Sequence, residues 1–404
     1  MIWRPAITIV NARVLGEHGD ADTLRFTTRI LGVGERPRPG DVVVDAEGAH
    51  VVPGLINAHD HLELNHYGRL KFRDRYANVS EWIDDMRPRI ATDAAILEGR
   101  SRPLSDRLFI GALKNLISGV TTVVHHNPFY RELRRGMPIR VLKHYGWAHS
   151  FALQRGSAGA RGESGGDIQE RFRGTASDTP FFVHLAEGID AAAYDELAQL
   201  ERIGCLKANT VAIHGVAVDA DGWRRIARAG AAVVWCPASN LFLFGQTIDL
   251  RRAARLPVAA RIVLGSDSRL TGSRDLLDEL RIADESSTVA RDQLVPMVTR
   301  HAADVIRQPQ LGRLVAGAPA DFVVLPPRAA SVVDTLLSTS RRDLGLVVVG
   351  GRPMVGSEAF LRLFTTRGSQ PRLLCVDGAT RLADAQLVAR IAACPIREPG
   401  VTTA

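Results

Sequence analysis

Val51-Val52-Pro53-Gly54-Leu55-Ile56-Asn57-Ala58-His59-Asp60-His61 is the stretch of sequence that decides the fold. Its apolar first half is typical of a strand that is buried on both faces. Residues i and i+2 of a strand point to the same side, so His59 and His61 are expected to direct two imidazoles to one point at the end of this strand. Zinc and similar metals bind imidazole readily, and the stretch therefore predicts part of a metal site.

The overall composition is that of an ordinary globular protein. The chain has 404 residues, 46% of them hydrophobic, which suits one large domain with a smaller partner. No run reaches the roughly 18 apolar residues of a membrane span, and the N-terminus has no signal-peptide core. The four cysteines are far apart in sequence, without a C-x-x-C pair. These features predict a cytoplasmic protein without disulfides and without a membrane partner.

The net charge of +7 raises the question of nucleic-acid binding. Lysines and arginines are spread along the chain, with no long basic block and no interleaved aromatic platform. The pattern favours an arginine-rich solvated surface and excludes a dedicated nucleic-acid interface, while a mild attraction for anionic substrates stays open.

Strands that end in polar residues recur along the chain and alternate with helical segments. Helices are predicted near 79–98, 104–118, 189–203, 220–229 and 273–307. The strands run into His59, His125-His126, His149, His184, His214, Cys236 and Asp267. This alternation predicts parallel βα units, and polar residues at the C-terminal strand ends are typical of a (β/α)8 TIM barrel. Seven strands are clear. The eighth is expected either at 139–142 or in degraded form within 155–180.

The two ends of the chain read differently from the middle. Residues 1–52 and 310–356 contain short strands and turn residues, including a Gly-Gly turn at 350–351, and we expect them to form one small β-sandwich domain. The barrel then spans 53–309. Residues 357–404 are expected to be a partly helical C-terminal extension, with a helix near 382–393.

Gly162-Glu163-Ser164-Gly165-Gly166 matches the G-x-S-x-G pattern of a serine nucleophile. A nucleophile elbow requires a strand before it and a helix directly after it, whereas these flanks are polar and rich in glycine. A loop over 155–180 is the better interpretation.

Several motifs together resemble the amidohydrolase superfamily. The first strand with His59-Asp60-His61, Gly119-Val120-Thr121-Thr122-Val123, His184-Leu185-Ala186-Glu187, Cys236-Pro237-Ala238-Ser239-Asn240, Gly265-Ser266-Asp267 and the closing Gly312–Asp321 segment are similar to the family's successive signatures. The chain is most similar to the mononuclear branch that contains cytosine and guanine deaminases and triazine chlorohydrolases.

The resemblance implies roles for individual residues. His59, His61, His184 and Asp267 would bind one divalent transition metal, with zinc favoured over iron. Asp267 would also accept a proton from water, Glu187 would carry that proton to the leaving group, and His214 would hydrogen-bond the attacking water or the substrate. The binuclear branch carries a carboxylated lysine, for which Lys143 is the nearby candidate, but no strand end is expected there.

Several assignments stay open at this level. Glu187 could cap a helix that starts near 189, and His214 could be structural. His66, His125, His126, His149 and Asn240 are candidates for substrate contact or for support around the metal. The implied activity on a small-molecule substrate is hydrolysis of a C–N bond, most naturally deamination of an amino-heterocycle. The alternatives are hydrolysis of a cyclic or acyl-amino amide and a non-catalytic scaffold. A homodimer is compatible with the sequence.

Overall fold

The structure is a computed structural model that describes residues 5–17, 19–152, 165–286 and 288–403. Residues 162–164 of the G-x-S-x-G stretch lie outside the described residues, as does 155–164 of the predicted loop. The remainder of that loop contains a helix from Gly165 to Arg173. Among the described residues, no helix is both long enough and apolar enough to cross a bilayer.

The strands of the described ranges occupy both ends and the middle of the chain. In chain order they are β1 Ile7–Val10, β2 Arg13–Gly16, β3 Gly19–Ala21, β4 Leu24–Phe26, β5 Ile30–Val33, β6 Val42–Asp45, β7 His50–Pro53, β8 Leu55–Asp60, β9 Val120–His125, β10 Arg140–Val141, β11 Gly146–Ala148, β12 Phe181–Leu185, β13 Thr210–His214, β14 Ala232–Trp235, β15 Ile262–Leu264, β16 Phe322–Leu325, β17 Leu346–Val349, β18 Arg352–Gly356, β19 Arg372–Val376, β20 Ala379–Ala383 and β21 Val401–Thr403.

The α-helices of the same ranges lie mainly between the strands of the middle segment. They are α1 Val79–Thr92, α2 Ala94–Ser101, α3 Leu104–Leu116, α4 Gly165–Arg173, α5 Ala191–Arg202, α6 Ala220–Ala229, α7 Pro237–Phe244, α8 Leu276–Glu285, α9 Arg291–Met297, α10 Arg300–Val305, α11 Val332–Ser338, α12 Leu361–Thr366 and α13 Ala385–Ala393.

Strands β8 to β15 are the βα units predicted from the sequence. They form two parallel sheets, one in the order β10-β9-β8 and the other in the order β11-β12-β13-β14-β15. The short β10 pairs with Thr122 and Val123 of β9, and it lies within the range 139–142 expected for an eighth strand. A hydrogen bond of 3.1 Å from the Asp267 amide to the His59 carbonyl connects the chain after β15 to β8. The C-terminal ends of the first and last strands therefore meet.

Helix α6 shows how the local sequence fixes the elements around these strands. Asp219 caps its N-terminus by accepting a hydrogen bond from the Gly222 amide, and Gly230 ends it in the left-handed conformation with φ 67°. The buried side chains of Trp223 and Ile226 hold it against the strands. The predicted range 220–229 matches the observed helix.

Two segments that were each predicted to be one continuous helix are interrupted in the structure. The helix expected at 79–98 is divided at Asp93, whose backbone is extended (ψ 120°) and whose side chain accepts hydrogen bonds from the Ala95 and Ile96 amides. The helix expected at 273–307 is three helices, α8, α9 and α10. Asp275 caps the first, and Thr299 leaves the helical conformation before the third. At Asp93 a side-chain cap competes successfully with helix continuation, whereas α9 and α10 begin without a side-chain cap.

The chain ends build a nine-stranded sheet in the order β21-β19-β20-β18-β17-β16-β7-β2-β3 and a four-stranded sheet in the order β5-β4-β1-β6. One cluster of buried apolar residues draws on both sheets, with Ile7 and Phe26 from the smaller sheet and Val51 and Phe322 from the larger. Strand β7 pairs with β2 and β16 and is followed directly by β8. This sheet therefore anchors the strand that carries His59 and His61. Residues 372–403 continue the same sheet and include α13 in the range predicted for a C-terminal helix.

Candidate metal centre

Four histidines and an aspartate from different strand ends meet at one point. His59 and His61 come from the end of β8, His184 from β12, His214 from β13 and Asp267 from the turn after β15. The potential ligand atoms of His59, His184 and His214 lie within 4.8 Å of one another, and so do those of His59, His61 and Asp267. The order of the strands thus brings together residues that are distant in sequence.

The donor atoms of this cluster fit a transition metal. The Nε2 atoms of His59 and His61 each lie 3.8 Å from Oδ1 of Asp267. Both ring nitrogens of His59 and Nδ1 of His61 are buried without a hydrogen-bond partner among the described residues. Buried polar atoms without partners are costly, and a bound cation with imidazole and carboxylate ligands would satisfy them.

Hydrogen bonds on the far side of two rings fix their orientation. His184 donates from Nδ1 to the backbone oxygen of His149 at 3.0 Å. His214 donates from Nδ1 to Oδ1 of Asn240 at 2.9 Å, and its Nε2 faces Oε1 of Glu187 at 3.4 Å. Such outer partners set the tautomer and leave Nε2 of each ring available to the centre.

The carboxylate of Asp267 is held by three donors. The hydroxyls of Ser239 and Thr271 each donate to Oδ2 at 2.9 Å, and the Ser268 amide donates to Oδ1 at 2.7 Å. Oδ2 therefore accepts hydrogen bonds from two hydroxyls, while Oδ1 faces His59 and His61. This arrangement orients the carboxylate and keeps it ionised.

The electrostatics keep the imidazoles neutral and shift the pKa values of the two carboxyl groups, Asp267 and Glu187, in opposite directions. Burial lowers the pKa of His59 well below its usual value, and the nearby His61 and His184 lower it further. Burial alone would raise the pKa of Asp267, but His61, His214 and His184 bring it below its ordinary value. Burial raises the pKa of Glu187 well above its usual value, and the charge of Asp267 adds to this shift. Carboxyl groups whose pKa values are pushed apart suit separate acid and base roles.

Three non-glycine residues near these strand ends adopt the left-handed backbone conformation. They are Ala186 with φ 53°, His214 with φ 73° and Asp267 with φ 51°. This region is unfavourable for most L-residues and is often found at functional sites. Here the chain turns sharply as it leaves a strand, which is where His214 and Asp267 reach the centre and Glu187 follows Ala186.

A cavity of about 200 Å³ opens onto the cluster and is lined by His61, His149, His184, Glu187, His214 and Asp267, among others. The remaining candidates lie elsewhere. His126 is buried behind the cluster, with its ring centroid 4.3 Å from that of His184. Asn240 is buried against His214. His125 Nδ1 faces Glu63 at 3.6 Å, and the His66 ring packs on Tyr67 with centroids 3.9 Å apart.

The geometry also bears on two alternatives that the sequence left open. The cap of α5 is Asp190, which accepts a hydrogen bond from the Ala193 amide, so Glu187 is not needed for that role. Lys143 is exposed on the segment between β10 and β11. An exposed lysine there cannot bridge two metals within the buried cluster.

Sequence reasoning missed a buried polar network beneath the centre. Lys114 Nζ is fully buried and lies 3.2 Å from Oδ2 of Asp60, the residue between the two histidines. Asn65 and Asn115 each donate to Asp60 at 2.7 Å. Lys114 also donates to the backbone oxygen of Asp267 at 3.3 Å. The signal in the sequence was Lys114-Asn115 directly after the apolar run 108–113 of α3, where buried polar residues require partners.

Comparison with known proteins gives a consistent result. The sequence model described as the amidohydrolase family matches residues 160–354. A 5-methylthioadenosine/S-adenosylhomocysteine deaminase of Pyrococcus furiosus is 23% identical, over 96% of this chain and 94% of its own. The enzyme of the same name from Natronomonas pharaonis is 25% identical, over 88% of this chain and 90% of its own.

Solved structures share the fold. An adenosine deaminase from Xanthomonas campestris with bound zinc has a TM-score of 0.68 at 16% identity and covers 90% of this chain and 98% of its own. An atrazine chlorohydrolase from Arthrobacter aurescens TC1, complexed with zinc, has a TM-score of 0.68 at 17% identity and covers 90% of this chain and 99% of its own. The solved structures support the fold, while the amidohydrolase family model over residues 160–354 and the deaminases that align with about nine-tenths of the chain agree with the motifs at the strand ends.

Proposed function

We propose that this protein is a metal-dependent hydrolase that deaminates an amino-heterocycle. The observation that carries the proposal is the convergence of His59, His61, His184 and Asp267 beside a cavity that also exposes Glu187. In this proposal those four residues hold one divalent metal, with zinc favoured because relatives of the same fold are described with zinc. When bound, the metal supplies Lewis acidity, which makes water reactive near neutral pH.

The two carboxyl groups divide the proton transfers. Asp267 has the lowered pKa and three hydrogen-bond donors, so it enters the reaction ionised and accepts the proton of the attacking water. Glu187 has the raised pKa and lies in the same cavity, so it can hold a proton and deliver it to the leaving nitrogen. The C–N bond breaks as the new C–O bond forms, and the amine leaves as ammonia.

His214 has a positioning role in this scheme. Its Nδ1 is fixed by Asn240, so Nε2 points toward Glu187 and the cavity. From there the ring can hydrogen-bond the attacking water or the ring atom of the substrate that gains charge. His149 is the remaining candidate that lines the cavity, and we assign it to substrate contact.

Deamination is preferred to the alternatives for two reasons. The relatives that match nearly the whole chain are named as deaminases, and a neutral Glu187 beside the reaction centre suits protonation of a poor amine leaving group. A non-catalytic scaffold would not need the carboxyl pair. Hydrolysis of a cyclic amide uses the same residues and would be recognised by ring opening without release of ammonia.

We also propose that the eight strands close into a (β/α)8 barrel over 53–309. The hydrogen bond between Asp267 and His59 supports closure at the seam between β15 and β8. The shared apolar cluster of the two outer sheets supports a β-sandwich built from 1–52 and 310–356, with 357–404 as its extension. A crystal structure in which the chain after β15 lies apart from β8, without the hydrogen bond from Asp267 to His59, would contradict the closed barrel.

The test of function is a screen of amino-heterocycles and cyclic amides with the zinc-loaded protein, read as ammonia release and ring opening. We expect ammonia from at least one amino-heterocycle, and we expect Glu187→Gln to lose about 10²–10⁴ in rate. Glu201→Gln, which changes an exposed carboxylate in an ion pair with Arg225, is the matched control and should keep full activity. Ammonia release that is unaffected by Glu187→Gln would refute the proposed mechanism.

A further inference from the structure

A second and larger cavity adjoins the metal centre. It has a volume of about 530 Å³ and lies between the segment after β8 and helices α1, α2 and α3. Four of its lining residues, Leu64, Trp82, Ile83 and Leu270, also line the cavity of the metal centre. We call this larger space the side chamber. The shared residues place the side chamber directly beside the reaction centre.

The volumes of the two cavities indicate which part of a ligand each of them can hold. Binding sites for small molecules are typically about 300–1,000 Å³. The cavity at the metal centre, about 200 Å³, is below that range and accommodates little more than the reacting ring. The remainder of a larger substrate would have to enter the side chamber.

The walls of the side chamber are mainly apolar. Met86 of α1 and Ile96 of α2 form a buried cluster with Leu270, and Ile90 packs against it. Polar atoms of two of its aromatic residues are already engaged, since Trp82 Nε1 donates to the Leu70 carbonyl at 2.9 Å and the Tyr67 hydroxyl donates to the Ile96 carbonyl at 3.2 Å. A hydroxyl-rich group such as a sugar would find few hydrogen-bond partners there, and its desolvation would be costly.

Two buried polar atoms in the wall have no hydrogen bond among the described residues, Nε of Arg107 and Oε2 of Glu63. Arg107 of α3 lines the side chamber, and its Nε is buried without a hydrogen bond among the described residues. The other arginines of the wall are engaged, since Arg87 pairs with Asp84 and Arg100 donates to the Ile90 carbonyl. Glu63 accepts at Oε1 from Asn127, and its Oε2 lies 3.6 Å from Nδ1 of His125. A buried guanidinium nitrogen requires an acceptor, which a ligand can supply.

We propose that the side chamber binds an apolar substituent of the substrate, aryl or branched alkyl, that carries a hydrogen-bond acceptor for Arg107 at its far end. The substrate class is therefore an amino-heterocycle with an amphipathic side chain in place of a polar sugar. This inference rests on the proposed function only in taking the metal centre as the reaction centre. Binding to the side chamber can be measured without turnover, so the two can fail separately.

The test measures equilibrium binding to the zinc-loaded protein by calorimetry, with 4-phenylbutyrate, 4-phenylbutanol and butyrate as probes. 4-Phenylbutyrate should bind with a dissociation constant in the millimolar range or tighter, and butyrate, which lacks the ring, at least about 10-fold more weakly. Equal binding of butyrate and 4-phenylbutyrate, or no binding of 4-phenylbutyrate, would overturn the proposal.

Substitutions locate the bound probe. Ile90→Trp should fill the side chamber and weaken 4-phenylbutyrate at least about 10-fold, with Met86→Phe as a milder version in case the first fails to fold. Leu97→Trp, at a position on α2 that is 44% exposed and outside the side chamber, is the control and should leave binding unchanged. Binding that neither filling variant weakens would place the probe elsewhere and overturn the proposal.

The role of Arg107 is tested by comparing the dissociation constants of 4-phenylbutyrate and 4-phenylbutanol. Wild-type protein should prefer 4-phenylbutyrate to 4-phenylbutanol, and Arg107→Met should remove about 10-fold of that preference while alcohol binding changes little. An unchanged preference would refute the role of Arg107. If the probes behave as expected but no amino-heterocycle releases ammonia, the side chamber stands and the deaminase proposal fails.

Discussion

Lys114 provides the sharpest test of how the metal centre is supported. Its ammonium is fully buried and lies 3.2 Å from Asp60 Oδ2. It donates to Asn65 Oδ1 at 2.7 Å, to Ser266 Oγ at 3.2 Å and to the backbone oxygen of Asp267 at 3.3 Å. Lys114→Met keeps an unbranched side chain of similar size and removes only the charge and its donors. The carboxylate of Asp60 is then left buried without a cation.

Removing one partner of a buried ion pair costs about 3–5 kcal/mol. Asn65 and Asn115 still donate to Asp60 at 2.7 Å each, so the lower end of that range applies. We therefore expect Lys114→Met to lower the free energy of unfolding by about 3 kcal/mol, measured by urea denaturation of the metal-free protein. Lys207→Met removes an exposed lysine and is the control, with an expected change within about 0.5 kcal/mol.

The double variant isolates the charge pair. Asp60→Asn together with Lys114→Met leaves no buried charge, so its loss should be smaller than the sum of the two single losses. A Lys114→Met protein within about 1 kcal/mol of wild type would refute the reasoning, because an uncompensated buried carboxylate cannot be that inexpensive. Additive losses in the double variant would show that Asp60 and Lys114 do not interact.

The remaining predictions concern the metal and the proton path. Metal analysis after mild purification should find about one transition-metal ion per chain, since the ligands form one cluster; two ions would contradict the mononuclear assignment. His59→Ala and His184→Ala should lose metal while circular dichroism still shows the fold, because both lie at strand ends, and full metal content in either variant would exclude that ligand. Asp267→Asn should keep the fold and lose about 10²–10⁴ in turnover, and its combination with Glu187→Gln should be less than additive, because both serve one proton path; an Asp267→Asn enzyme with unchanged turnover would refute that path.

Much of the fold could be predicted because its signals are local. Most strands of the middle segment are short apolar runs that lead into a polar residue, and this pattern predicted both the parallel units and the convergence of His184, His214 and Asp267. The two-residue β10 was located only as a candidate, since so short a strand is defined by its pairing with β9 and has almost no sequence signal.

The errors arise where tertiary contacts or caps override a periodic pattern. The apolar spacing of 273–307 is compatible with one helix, yet the backbone leaves the helix at Thr299. From the sequence, Asp93 is compatible with a surface position of one continuous helix, whereas in the structure its side chain caps α2. The hydrophobic pattern records neither a side-chain cap nor a local change of the backbone dihedral angles, so neither break could be predicted from it.

Supporting residues of the centre were harder to find than its ligands. Ligands are recognisable as residue types at strand ends, whereas Ser239 and Thr271 contribute through hydroxyls that occur everywhere in a sequence. Two histidines illustrate the same difficulty. His66 and His149 were equal candidates for substrate contact, and only the path of the chain separates His149, in the cavity of the centre, from His66, packed on Tyr67.

The pairing of β7 with β16 has a consequence for synthesis of the protein. The apolar strand His50–Pro53 leaves the ribosome early, but Phe322–Leu325, its antiparallel neighbour, is made only after the whole barrel sequence. At about 5–20 residues per second, the edge of β7 waits on the order of tens of seconds for its partner. A nascent chain with an uncovered apolar edge is prone to aggregate, so expression should benefit from slower initiation, lower temperature or a chaperone that shields strand edges until the C-terminal strands arrive.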